Sequence, residues 1–240
     1  MFGILRTILA INVVLLHVFK VPVLGNYSVT FFFVLSGFLM TYIMHKTYGF
    51  DFKGVKFFWF NRFLRLYPTY WIVLILSLLA IVLFDNIAMN KSMNFPVTIK
   101  EWATNITMIY DKILPYKAKS RVVPTSWALT NELVYYLLIS LGISKTPLRT
   151  FVWLGISILY FVATYVYYDI PSYRYGAIPA SSLPFALGAV LYWLNEKIKL
   201  KNINLIVIIA LFIGFNVNAF LFARSQLYVL REAAIYISII

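Results

Sequence analysis

Long apolar runs separated by short polar breaks dominate the chain. Seven runs stand out: Ile4–Val23, Val29–His45, Pro68–Phe84, Ser126–Ile143, Phe151–Tyr168, Ile178–Leu194 and Ile203–Phe222. Each approaches the roughly 20 residues with which a helix, rising ~1.5 Å per residue, crosses a hydrocarbon core of ~30 Å. Lipid offers no partner to a backbone N–H or C=O, so runs of this length predict helices that satisfy their own hydrogen bonds. The expected fold is all-α: a polytopic membrane helical bundle of seven transmembrane helices, forming a single domain over residues 1–240. After Arg231 the chain continues with Glu232–Ile240, mostly apolar, and these residues would rise only ~13 Å as a helix. They read as the start of an eighth span, so the chain is expected to be truncated at its C-terminus. The first run lacks a small-residue cleavage site after it and is read as a retained span.

Composition strengthens this picture. Hydrophobic residues make up 62% of the 240 and charged residues 12%, against about 25% charged in soluble domains. A water-soluble core cannot absorb so much apolar chain. With no cysteine, disulfides, a thiolate nucleophile and a Cys-ligated metal site are all excluded. The net charge of +13 is assigned to membrane lipids and not to nucleic acid, because the basic residues gather between the runs. Lys46, Lys53, Lys56, Arg62 and Arg65 follow the second run with Asp51 opposing; Lys145 and Arg149 follow the fourth; Lys197, Lys199 and Lys201 follow the sixth. By the positive-inside rule these connections are cytoplasmic, and so is the N-terminus. The connection from Asp85 to Pro124 is also basic, but long loops weigh little in that rule. It contains Thr98-Ile-Lys-Glu101, a capping-box pattern at a helix start. Trp102, Ile106 and Ile109 follow on one helical face, which predicts a short amphipathic helix on the outer membrane surface.

Ionisable groups at membrane depth are costly and usually functional. Glu132 lies ~12 Å into the fourth run, His17 ~16 Å along the first, and the polar Ser36 ~10 Å into the second. Three runs thus bring polar groups to similar depths. Taken alone, His17 also fits a satisfied packing residue, and Glu132 an assembly contact or a proton relay. Ser36-Gly37 alone reads as an ordinary small-residue helix contact. The segment Phe57-Phe-Trp-Phe-Asn-Arg-Phe-Leu-Arg-Leu-Tyr-Pro68 puts Arg62 and Arg65 on one helical face. Two accounts stand level: an aromatic belt with snorkelling arginines, or a phosphate clamp of rigid guanidinium forks. His17, His45 and Glu132 lack metal-ligand spacing, so no metal is expected.

Four blocks resemble the acyltransferase 3 family of integral membrane acyltransferases. Arg6 and His17 show its Arg–His spacing. Phe32-Phe-Val-Leu-Ser-Gly-Phe38 is similar to its FFxxSG block, and Arg62-Phe-Leu-Arg65-Leu-Tyr-Pro68 to its RxxR block. Ser126-Trp-Ala-Leu-Thr-Asn-Glu132-Leu-Val-Tyr-Tyr136 is similar to its Ser-Trp…Glu…Phe-Tyr block, with Ala128 where Ser is common and Tyr135 where Phe is usual. Leu183-Pro-Phe-Ala-Leu-Gly188 fits a weaker later pattern.

The resemblance implies transfer of an acyl group, most often acetyl, from acetyl-CoA or another acyl-CoA to a carbohydrate or lipid-linked glycan. No cofactor is bound permanently, and the site would be in a bacterial cytoplasmic membrane. It implies His17 as general base or, second to that, a transient acyl carrier, Glu132 orienting it or offsetting its charge, and Arg6, Arg62 and Arg65 on the donor. Ser36, Gly37 and Trp127 then belong to the structure beside the site. A family member of about ten spans would continue beyond this chain, which leaves room for an inactive truncated acyltransferase. A proton-coupled transporter or flippase-like protein and a non-catalytic membrane partner are the competing classes.

Overall fold

A computed structural model of the chain describes residues 2–19, 24–84, 93–110, 121–167, 171–198 and isolated positions between 213 and 221. Among the described residues eight α-helices are defined: α1 (Phe2–Phe19), α2 (Leu24–Ile43), α3 (Phe52–Leu83), α4 (Ile99–Thr107), α5 (Ser126–Ser140), α6 (Pro147–Val166), α7 (Pro171–Tyr175) and α8 (Ser182–Ile198). The described residues contain no strand.

Among the described residues three stretches are helical, long and apolar enough to cross a membrane: Gly25–Tyr48, Phe52–Leu83 and Pro147–Val166. α1 carries a shorter apolar stretch, Leu5–Phe19, while α5 has 15 residues and α8 has 17. The apolar run Ile203–Phe222 falls almost entirely outside the described residues, and Glu232–Ile240 entirely so.

α3 departs most from its sequence reading. It begins at Phe52 and not at Pro68, and takes in the whole arginine segment. Proline has no N–H to give to the carbonyl of Leu64, yet the helix runs through it. At 32 residues it rises ~48 Å, well beyond the ~30 Å of hydrocarbon, so part of α3 has to stand in the interface. α2 ends differently, in a π-helical turn, Met44–Tyr48. Gly49 closes that turn at φ 77°, its N–H reaching Met44 O at 2.8 Å; a side chain there would be strained.

Two compact units are distinguished: residues 1–39 with 184–240, and residues 40–183. In the first, α2 and α8 touch backbone to backbone. A Cβ on Gly37 would collide with Phe185 O, and one on Gly188 with Val34 O. Small residues permit this approach, which is how helices associate where lipid gives no hydrophobic drive. Phe33 and Phe185 stack beside the contact, ring centroids 5.2 Å apart.

In the second unit α3, α4 and α5 enclose Tyr70, Leu74, Met108, Val122, Val123 and Leu133. α4 opens with the capping box in full. Thr98 Oγ1 accepts from Glu101 N at 3.2 Å, and Glu101 Oε2 accepts from Thr98 N at 3.2 Å. Its last carbonyls, which a helix end leaves without intrahelical partners, are met by α3. Tyr67 OH donates to Thr107 O, Tyr70 OH to Asn105 O and Trp71 Nε1 to Ile106 O. α4 stops at Thr107 with Met108 left-handed at φ 58°, so Ile109 lies beyond the helix. The buried residue of α4 is polar: Asn105 is fully enclosed, and its Oδ1 accepts from Val122 N and Tyr110 OH, both at 2.9 Å. Ile106 and Ile109 are exposed instead.

Candidate functional site

α5 carries the carboxylate. Glu132 is half-buried, and its Oε2 accepts a hydrogen bond from Tyr136 OH at 3.0 Å. These residues are four apart and share a helix face. The Tyr136 ring meets Phe58 of α3 edge to face at 6.2 Å. Over that same Phe58 ring lies the guanidinium of Arg62, 5.7 Å from its centroid. Arg62 and Glu132 are therefore joined through two aromatic side chains inside one unit.

Arg62 is 9% exposed. Its Nη1 donates to Met40 Sδ at 3.7 Å, and its Nε is buried without a hydrogen-bond partner among the described residues. A thioether is a weak acceptor, and a buried cation of this kind costs several kcal/mol until an anion meets it. The side chain is chemically suited to receive a phosphate or a carboxylate. Arg65 is exposed. Three residues correspond to about 60° around a helix, enough to place the two arginines on opposite sides of the buried edge. Trp127, in the first turn of α5, is half-buried and meets Tyr175 edge-on at 5.1 Å.

The other candidates belong to the first unit. Arg6 and His17 are eleven residues apart on α1, about three turns, so they share a face. Arg6 is half-buried; His17 is exposed in the last turn. Ser36 is buried, next to Gly37 at the α2–α8 contact. The structure groups Arg6, His17, Ser36 and Gly37 in one unit, and Arg62, Arg65, Trp127 and Glu132 in the other. Among the described residues no three His, Asp or Glu come together as a metal site.

Sequence reasoning gave Tyr136, Phe58 and Met40 no part in the site. Tyr136 and Phe58 each left a signal, a four-residue spacing from Glu132 and from Arg62. Met40, on another helix, reaches Arg62 by packing that no local pattern announces.

The sequence model of the acyltransferase 3 family, described as an acyltransferase domain, matches residues 2–239. The chain belongs to this family. Its apolar helices and this membership together make it a membrane protein. Over 117 residues it is 27% identical to a Bacillus subtilis (strain 168) protein named "Putative peptidoglycan O-acetyltransferase YrhL". That match covers 48% of this chain and 18% of the Bacillus protein. No solved structure matches. Arg62 and Glu132, which the structure links through Phe58 and Tyr136, both lie within the matched residues, on α3 and α5.

Proposed function

We propose that this acyltransferase 3 protein moves an acyl group, typically acetyl, from acyl-CoA to a hydroxyl of a cell-surface polysaccharide or lipid-linked sugar. The observation that carries the donor side is the buried, under-satisfied guanidinium of Arg62, tied through Phe58 and Tyr136 to Glu132. CoA offers phosphate oxygens that a guanidinium fork can hold. Arg65 would add positive charge on the same helix. The Bacillus protein's name, which refers to peptidoglycan, supports a glycan acceptor.

In the proposed reaction His17 takes the proton of the acceptor hydroxyl as its oxygen attacks the thioester carbonyl. A new O–C bond forms, the C–S bond breaks, and the proton passes to the leaving CoA sulfur. Glu132 serves the same reaction as its supporting carboxylate, a part such groups play in acyl transfer elsewhere. The bundle would comprise seven spans in a bacterial cytoplasmic membrane, with the N-terminus and the basic connections on the cytoplasmic side, where acetyl-CoA is made.

The test is His17→Ala, assayed by transfer of radiolabel from acetyl-CoA to envelope polysaccharide in cells lacking any second acyltransferase. Loss of a general base typically lowers the rate by about 10²–10⁴, and membrane insertion should be unchanged. Transfer at the parental rate would remove His17 from the reaction.

A further inference from the structure

The proposed reaction uses the fourth sequence block as far as Glu132, but the block continues to Tyr136. That residue is 4% exposed and donates its hydroxyl to Glu132 Oε2 at 3.0 Å. Its ring is held laterally by Phe58, which is fully buried and itself edged by Tyr48 and Trp59. One turn further along α5, Trp59 Nε1 donates to Ser140 Oγ at 3.2 Å. α3 is thereby fastened to α5 just beyond Tyr136. A tyrosine has two side-chain torsions, and packing of this kind narrows where its hydroxyl can go. A glutamate has three torsions, and each contact that fixes its carboxylate removes freedom that would otherwise blur its position.

We infer that Tyr136 is a positioning residue for acyl transfer: its hydroxyl fixes the carboxylate of Glu132 in the orientation the reaction uses. The inference rests on the role proposed above for Glu132. Buried and bonded to that carboxylate, Tyr136 acts through it and exchanges no atom with either substrate. Its contribution belongs to turnover and not to holding the donor. Supporting shells of this sort keep a reacting group within the narrow tolerance that catalysis demands.

The decisive variant is Tyr136→Phe in the full chain, which keeps the ring against Phe58 and removes only the hydroxyl. With radiolabelled acetyl-CoA as donor and isolated envelopes as acceptor, kcat is expected to fall about tenfold, the range of one hydrogen bond to a charged group. The KM for acetyl-CoA and the melting temperature in detergent should stay at parental values. In a Glu132→Gln background the same change should cost nothing further, because coupled residues are not additive. Parental kcat in Tyr136→Phe, or an equal loss in the Glu132→Gln background, would overturn the inference while leaving the role of Glu132 intact. Full activity of Glu132→Gln alone would overturn both. A readout independent of turnover is the infrared band of the Glu132 carboxyl group, assigned by its disappearance in Glu132→Gln. It should shift in Tyr136→Phe, and an unmoved band would also overturn the inference.

Discussion

Arg62 and Arg65 share a sequence motif and a charge, yet only Arg62 is buried against Phe58 with an unsatisfied Nε. Lysine keeps the charge but loses the planar fork and its parallel donors. Arg62→Lys is therefore expected to raise the KM for acetyl-CoA by about 10- to 100-fold, equivalent to roughly 1.5–3 kcal/mol for hydrogen bonds to a charged group. Arg65→Lys, at an exposed position, should change it by about twofold or less, in line with the small worth of exposed ion pairs. A titration of acetyl-CoA against fixed acceptor separates the two, and equal effects would mean that Arg62 is not the donor's main contact. The residues of this region were legible in the sequence as types and spacing. Their difference was not, because three positions on a helix lie only about 60° apart and the buried boundary is drawn by Met40 and Phe58.

At the scale of elements, α4 shows where local reading succeeds and where it stops. The capping box is a four-residue pattern, so Thr98 and Glu101 announce it unaided. The anchoring of the other end depends on Tyr70 and Val122, 35 and 17 residues away from Asn105, and no periodicity in α4 carries that information. Asn105→Ala leaves Val122 N and the Tyr110 hydroxyl without their acceptor inside a closed junction. Buried unsatisfied groups cost about 1–3 kcal/mol each, so the variant should melt several degrees lower in detergent. Thr98→Ala removes one exposed cap contact, worth about 1 kcal/mol, and should melt closer to the parent. Thermal unfolding of the two variants side by side checks the ranking. α3 offers the opposite lesson. Pro68 suggests a helix start, but a proline inside a long apolar helix is tolerated when neighbouring structure supports it.

For the whole molecule, helical character and a membrane setting followed from the apolar runs and scarce charge, because in hydrocarbon the backbone has few alternatives. The number of spans did not follow in the same way: apolar runs of similar length became helices of 15 to 32 residues. The proposed orientation can be tested cleanly because the chain contains no cysteine. A Lys53→Cys variant, at an exposed position in the first turn of α3, should react with a membrane-impermeant maleimide only after the cells are opened. Val97→Cys, exposed just ahead of α4, should react in intact cells; the reverse pattern would invert the topology. The Gly37–Gly188 crossing has a further consequence, for the order in which the protein is made. Its two halves are separated by almost the entire intervening chain, whereas residues 40–183 are continuous. During synthesis, from the N-terminus onward, the second unit can be completed while α2 still awaits α8. Until α8 emerges, the glycine notch on α2 has no helix to receive, and a ribosome that stalls before residue 184 would leave the first unit without its closing partner.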